Sequence, residues 1–318
     1  MTSQASTATA RNVTGTCQNR ELVINWHMTE ACNYSCRYCY SKWHNDGSGK
    51  DVIRDREASA ALLAELYRHF TPDNSHNQAR MGMKWDSLRL SLAGGEPLLY
   101  NREIVRIASQ AREIGFKVSI ITNGSRLTRP LIAELVPQLS VLGLSLDSAA
   151  ASTNREIGRV DRHSRLLSLD ELAPIVQFGR ALNSDLRLKI NTVVNALNCD
   201  EDMSQLIGIL APDKWKVLRM LPTVTNDLAI DDQQFAGFVD RHKSLRDIAS
   251  FEDNTDMVES YIMIDPRGRF FQNALCGNGY RYSDPILDVG AKTAFQQVAW
   301  FPDKFWSRYS VDRRESLA

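Results

Sequence analysis

The sequence predicts an α/β fold, an incomplete (βα)6 barrel closed on its open side by a C-terminal β-hairpin and helix. Three observations predict it. From residue 21 onward, apolar segments of strand length alternate with helix-like ones, the signature of repeated βα units on a parallel sheet. Within the strands, apolar and polar side chains alternate, so one face can be covered by helices while the other lines an interior. After residue 258 the alternation stops and hairpin signals take over.

The strands are expected at 21–28, 87–93, 117–122, 141–147, 186–194 and 214–221, and the helices at 56–70, 101–114, 129–138, 168–183, 201–210 and 231–246. Asp200 and Asp231 stand where N-caps belong. The polar stretch TPDNSHNQARMGMK at 71–84 reads as an irregular surface excursion. ESYIMID, the turn signal DPRG and RFFQN read as a hairpin, followed by a short helix near 289–299. The expected organisation is a disordered leader over 1–16, a barrel over 17–255 and an extension over 256–318 that covers the active site.

A chain of 318 residues with 43% hydrophobic content can bury a core of ordinary size. Its 38 basic and 38 acidic residues cancel, so no global field draws it to nucleic acid or to an anionic membrane. MTSQASTATARNVTGT lacks the apolar stretch of a signal peptide, and no run is long enough to span a bilayer. A soluble, cytoplasmic protein is expected. Three of the six cysteines fall within eight residues, in CNYSCRYC, which points to a metal rather than to a disulfide scaffold.

The interior face is unusual in its charge. Leu88, Leu90 and Leu92 oppose Arg89, Ser91 and Ala93; Leu188 and Ile190 oppose Lys189 and Asn191; Trp215 and Val217 oppose Lys214 and Lys216. A closed barrel fills its interior with branched apolar side chains. Four cations there would be costly without a partner, so a wet cavity for a polyanion is expected.

Thiolates are the usual ligands of iron–sulfur clusters, and four are normally needed. Cys32, Cys36 and Cys39 supply three, which leaves one iron open to a small molecule. The alternative on the residues alone is a structural zinc site completed by His44 or His27. GGEP, Gly94 to Pro97, ends the second strand, where glycines let the backbone approach a ligand.

The Cys-x3-Cys-x2-Cys spacing with Tyr38 before the last cysteine, followed by GGEP, resembles the radical S-adenosylmethionine superfamily. That resemblance implies a 4Fe-4S cluster on the three cysteines and S-adenosylmethionine at its open iron. It also implies cofactor contacts from Tyr38, Gly94, Gly95, Glu96, Asn123, Ser145 and Arg159. INWHMTEACNYSC, IGR, KINTVVN, EDM, KWKVL, RHK, VESYIMID, RFFQN and ILDVG narrow the likeness to the viperin family, over about residues 21–305.

The narrower resemblance implies a dehydratase that abstracts the ribose C4' hydrogen of a nucleoside triphosphate through a 5'-deoxyadenosyl radical. The product would be the 3'-deoxy-3',4'-didehydro analogue, a chain terminator in antiviral defence. CTP is the favoured substrate, with UTP or GTP as options. Arg89, Lys189, Lys214 and Lys216 would hold the phosphates with help from Asn191. Asn25, His27 and Asn254 would contact sugar or base, and Tyr261 would act as the hydrogen or proton donor. A flavodoxin or ferredoxin would supply electrons.

The sequence departs from the animal members at Ala93, where they have serine, and by interchange of lysine and arginine at Arg89 and Lys214. It also lacks their amphipathic N-terminal helix and terminal tryptophan, so membrane attachment is not expected. A peptide-modifying or activating radical enzyme, or a metal-binding module without turnover, are the competing readings.

Overall fold

The computed structural model describes residues 20–43, 51–273 and 279–309. The expected leader, His44, Cys17 and Cys276 lie outside them. Among the described residues, ten strands form one sheet: β1 (Glu21–His27), β2 (Ser87–Ala93), β3 (Lys117–Thr122), β4 (Val141–Ser145), β5 (Arg187–Val194), β6 (Lys214–Arg219), β7 (Ala249–Glu252), β8 (Ile262–Ile264), β9 (Arg269–Asn273) and β10 (Tyr280–Pro285). The helices are α1 (Arg56–Phe70), α2 (Ser75–Met81), α3 (Asn101–Ile114), α4 (Arg129–Leu135), α5 (Ala151–Ile157), α6 (Leu169–Leu182), α7 (Ser204–Leu210), α8 (Asp232–Arg241), α9 (Asn254–Met257), α10 (Ile286–Phe295) and α11 (Pro302–Tyr309).

The sheet order is β10-β9-β8-β1-β2-β3-β4-β5-β6-β7, parallel from β8 through β7 and antiparallel across β8, β9 and β10. β7 and β10 are its edges, so among the described residues no hydrogen bonds close the barrel. The C-terminal hairpin extends the sheet on the far side of β1. α10 packs back on α1, where the Ala291 amide donates to Glu65 at 2.7 Å.

Helix positions follow their capping chemistry. Asp55 caps α1 by accepting from the Glu57 and Ala58 amides, and Ser168 with Glu171 forms a capping box on α6. Asp231 caps α8 as expected, with Gln234 closing a capping box. Asp200 does not cap α7: the helix begins at Ser204 after Met203. The Asn198 carbonyl oxygen of the side chain takes the Asn195 amide at 2.7 Å, so side-chain turns hold this segment out of the helix. α4 stops at Leu135 and tightens into one 3-10 turn over Val136–Gln138, because Pro137 brings no N–H. The stretch expected to be irregular at 71–84 contains α2, capped by Asn74 and ended by Gly82 at φ +67.

The outer face of the sheet is the core. Leu88, Leu90, Leu92, Leu188, Ile190, Trp215 and Val217 are all buried beneath the helices. The opposite face carries Asn25, Arg89, Ser91, Ser119, Lys189, Asn191, Lys214 and Lys216, adjacent to one another through the strand register. Gly143 lies between β3 and β5 on this face, and the Ile121 side chain covers it. α5, α9, α11, β7 and β10 were not among the expected elements.

Candidate active site

The cysteine loop leaves the C-terminal end of β1 and is gripped from two sides by backbone. From β2, the Gly95 amide donates to Thr29 at 2.7 Å and the Glu96 amide to Ala31 at 2.8 Å. From the end of α5, Gly158 accepts from the Ser35 amide at 3.1 Å and Ile157 from the Arg37 amide at 2.9 Å. Glycine is required at both contacts. A Cβ on Gly95 would stand 2.3 Å from the Ala31 carbonyl, and one on Gly158, at φ +88, 2.3 Å from the Ser35 carbonyl.

Among the described residues, the three thiols form no disulfide. Cys32 is exposed, while Cys36 and Cys39 are half-buried. Cys32 Sγ accepts from the Tyr34 amide at 3.4 Å, and Asn123 Nδ2 lies 3.8 Å away. Burial pushes the Cys36 thiol up to about 12, with Arg159 opposing that shift. Among the described residues, no three His, Cys, Asp or Glu side chains converge on the position of a single ion. A cluster with one thiolate per iron does not need that convergence. Three free thiols on one loop, backed by backbone contacts too close for any Cβ, fit the 4Fe-4S group. His27 does not join them. It packs edge-on to Tyr40 and Phe271 and tilted against Trp43, and burial lowers its pKa to about 3.

Beneath the loop lies a buried network that composition could not reveal. Asp147 receives Arg159 Nη1 at 3.1 Å and the Tyr38 hydroxyl on one oxygen, and the Val193 amide at 3.0 Å on the other. Arg159 also reaches the Ser145 carbonyl and comes within 3.9 Å of Cys36 Sγ. Burial opposes the Arg159 charge, but Asp147 outweighs it and holds its pKa well above the usual range. Tyr38, Ser145 and Arg159 thus form one scaffold with Asp147, which ends the LSLD segment.

Glu96 is buried and supports the site from below. Its carboxylate takes the Leu98 amide, the Thr122 hydroxyl and the Asn123 amide, tying β2 to β3. Asn123 in turn donates to Asn33 at 3.0 Å and accepts from Ser125. Gly94 bends the chain at φ +146 against Thr29 and accepts from the Ser41 hydroxyl at 3.2 Å. The tail contributes two contacts the sequence did not signal: Tyr280 donates to the Tyr40 carbonyl at 2.5 Å and Tyr282 to the Trp43 carbonyl at 2.9 Å.

Carboxylates on the same face meet part of the interior charge. Arg89 pairs with Glu21 and donates to Ser119 at 3.1 Å, and Lys117 reaches Glu21 at 3.3 Å. Burial pushes the Glu21 carboxyl up, but Arg89 and Lys117 hold it below the usual carboxylate range. Lys216 Nζ lies 2.7 Å from both Glu252 and the Tyr261 hydroxyl. The expectation of four unmatched cations is therefore corrected by two carboxylates, Glu21 and Glu252, lying on the same face. No ion pair among the described residues reaches Lys189, which is opposite Lys214 in register. Burial first, then Lys216 and Arg89, push its ammonium well below the usual lysine range.

Three polar atoms on or beside this face are buried with no partner among the described residues: Asn191 Oδ1, Ser250 Oγ and Asn254 Oδ1. Asn25 donates weakly to the Ile262 carbonyl at 3.4 Å. The site thus has a thiol-bearing rim at the strand C-termini and a polar, cationic interior below it.

Residues 26–173 match the Radical SAM superfamily model. The chain is 42% identical over 299 residues to an S-adenosylmethionine-dependent nucleotide dehydratase of Psychrobacter lutiphocae, covering 94% of this chain and 97% of that one. A protein of the same description from Pseudoalteromonas ulvae is 40% identical, covering 91% and 93%. One from Danio rerio is 30% identical, covering 86% and 72%. Among solved structures, native anSMEcpe with bound AdoMet and Kp18Cys peptide superposes with a TM-score of 0.63 over 92% of this chain and 84% of that one. Its 12% identity makes that a likeness of fold alone. With the cysteine loop, the partial barrel and these relatives in agreement, the chain belongs to the S-adenosylmethionine-dependent nucleotide dehydratases, the viperin family of the radical SAM superfamily.

Proposed function

We propose that the nucleotide is a ribonucleoside triphosphate, with CTP favoured and UTP or GTP as options, converted to its 3'-deoxy-3',4'-didehydro analogue for antiviral defence. The observation that carries this reading is the interior of β2, β5 and β6, where Lys189 stands among Arg89, Lys214 and Lys216, and burial and these neighbours push its ammonium well below the usual lysine range. A polyphosphate would relieve that repulsion, and the mixture of point-charge lysines and a forked arginine suits a flexible anion. Asn191, Ser250 and Asn254 offer the unmatched polar atoms that a sugar or base could engage.

Cys32, Cys36 and Cys39 would hold the cluster, while the Gly94–Gly95 backbone, Asn123 and the Arg159 scaffold would border S-adenosylmethionine. When bound, cluster and cofactor supply a carbon-centred radical able to remove the ribose C4' hydrogen. The protein aligns the sugar by gripping its phosphates, so remote binding energy serves the reacting carbon. Tyr261 is the proposed donor for the step that completes loss of water. Electrons would come from a flavodoxin- or ferredoxin-type donor, for which Cys32 is the most exposed of the three thiols. No helix among the described residues is long and apolar enough to cross a membrane, and we propose a cytoplasmic enzyme acting on free nucleotide rather than nucleic acid.

The test is an anaerobic assay of cluster-reconstituted protein with dithionite and each of the four ribonucleoside triphosphates. Formation of 5'-deoxyadenosine is expected to depend on a triphosphate and to yield the dehydrated nucleotide. Equal turnover without nucleotide, or with nucleosides alone, overturns the reading.

A further inference from the structure

Tyr261 lies just before β8, yet its side chain reaches across the opening of the barrel to β6 and β7. Its hydroxyl donates to Glu252 Oε2 and accepts from Lys216 Nζ at 2.7 Å, and the ammonium lies 4.7 Å from its ring centroid. The other Glu252 oxygen holds the same ammonium at 2.7 Å. Gln272 fixes the backbone by donating to the Tyr261 carbonyl at 2.6 Å. Glu252 is 4% exposed. The phenol is therefore bracketed by one charged acceptor and one charged donor, the short, strong class of hydrogen bond.

A phenol gives up an electron far more readily when its proton can leave at the same moment to a base already in contact. We infer that Glu252 is the positioning residue for Tyr261 and the acceptor of its proton during the dehydration, with Lys216 holding both in place. The inference rests on the proposed nucleotide reaction and deepens it. After removal of its C4' hydrogen, the substrate radical must lose its 3' hydroxyl and gain one electron and one proton to become alkene and water. Tyr261 supplies the electron, breaking its O–H bond. The proton passes to the Glu252 carboxylate and from there to the departing hydroxide. The tyrosyl radical left behind is restored by one electron from the low-potential iron–sulfur or flavin donor and one solvent proton.

The test uses the reconstituted enzyme with a ribonucleoside triphosphate. Glu252→Gln should still form nucleotide-dependent 5'-deoxyadenosine, while dehydrated product per 5'-deoxyadenosine falls about tenfold or more. Tyr261→Phe, which keeps the Lys216–Glu252 pair, should show the same uncoupling. Because Gln leaves a buried ammonium beside a neutral amide, Glu252→Asp provides a charge-retaining control for folding. Drawing the carboxylate back from the phenol should also lower product yield.

An independent readout needs no cofactor: with 3-fluorotyrosine at position 261, the fluorine-detected titration midpoint should fall by about one pH unit in Glu252→Gln, since a neighbouring negative charge has gone. Wild-type product yield in both Glu252 variants, or an unmoved phenol midpoint, overturns the inference and leaves the nucleotide reaction standing. Loss of nucleotide dependence in the unsubstituted enzyme instead overturns the proposed reaction and this inference with it.

Discussion

Lys189→Met should weaken triphosphate binding and strengthen the fold. Lys189 lies opposite Lys214 and in the field of Lys216 and Arg89, and burial and those charges press its ammonium toward neutrality. Methionine keeps an unbranched stem of similar length without a charge. An ammonium about 4 Å from a phosphate oxygen is worth about 4 kcal/mol at an effective dielectric of 20. Desolvation and the remaining cations reduce this to about 2–3 kcal/mol, a loss of about 30- to 150-fold in affinity. Methionine also removes a buried amine whose desolvation the fold must offset, so stability should rise by about 1 kcal/mol, or about 2 °C in Tm.

Two calorimetric measurements check this, isothermal titration with the nucleotide and scanning calorimetry of the free protein. The titration carries a further signature. A bound polyphosphate would raise the depressed Lys189 pKa back toward the usual lysine range, so binding takes up protons where the free group has lost them. Affinity should therefore decline as pH rises through the window between the depressed value and the ordinary lysine range, with proton uptake visible as buffer-dependent heat. Lys189→Met should abolish that uptake. A variant that loses stability while keeping full triphosphate affinity would refute the reasoning and make Lys189 a structural residue.

Gly158→Ala should displace the cysteine loop, because its Cβ would fall 2.3 Å from the Ser35 carbonyl at a positive φ. Iron analysis should show fewer irons per chain after reconstitution, and full iron content would dismiss the contact as the one that sets the loop. Asp147→Asn leaves Arg159 buried without its carboxylate and should cost about 3 kcal/mol in urea unfolding. A loss below about 1 kcal/mol would mean the network is not what holds this wall. His27 stays neutral in the fold, its pKa lowered by burial to about 3, whereas the unfolded chain takes up a proton near pH 6.5. The native state then binds fewer protons below that pH, and stability should fall by about 1.4 kcal/mol per pH unit from this residue as pH drops toward 3. His27→Phe should flatten that acid limb of Tm against pH, and an unchanged slope would show that His27 titrates in the fold.

The sequence by itself determined the sheet and the chemistry at its mouth. Alternation in LRLSLAGG, RLKIN and KWKVL places residues on faces because strand side chains alternate whatever the surroundings, and β2 and β3 fall at the expected residues. The cysteine spacing is equally local, since three ligands on one short loop need no distant partner to be recognised. Only the tertiary structure decided which charges meet. Glu21 and Glu252 lie 231 positions apart in the chain, yet share the face that carries the interior cations. Asp147 meets Arg159 and Tyr38 through a strand end, a helix end and a loop, and no period in the sequence links them. Tyr261 shows the same limit most plainly. Its place before a hairpin was legible, but its contacts with Lys216 and Glu252 arise from the curvature that brings the two sides of an open barrel face to face.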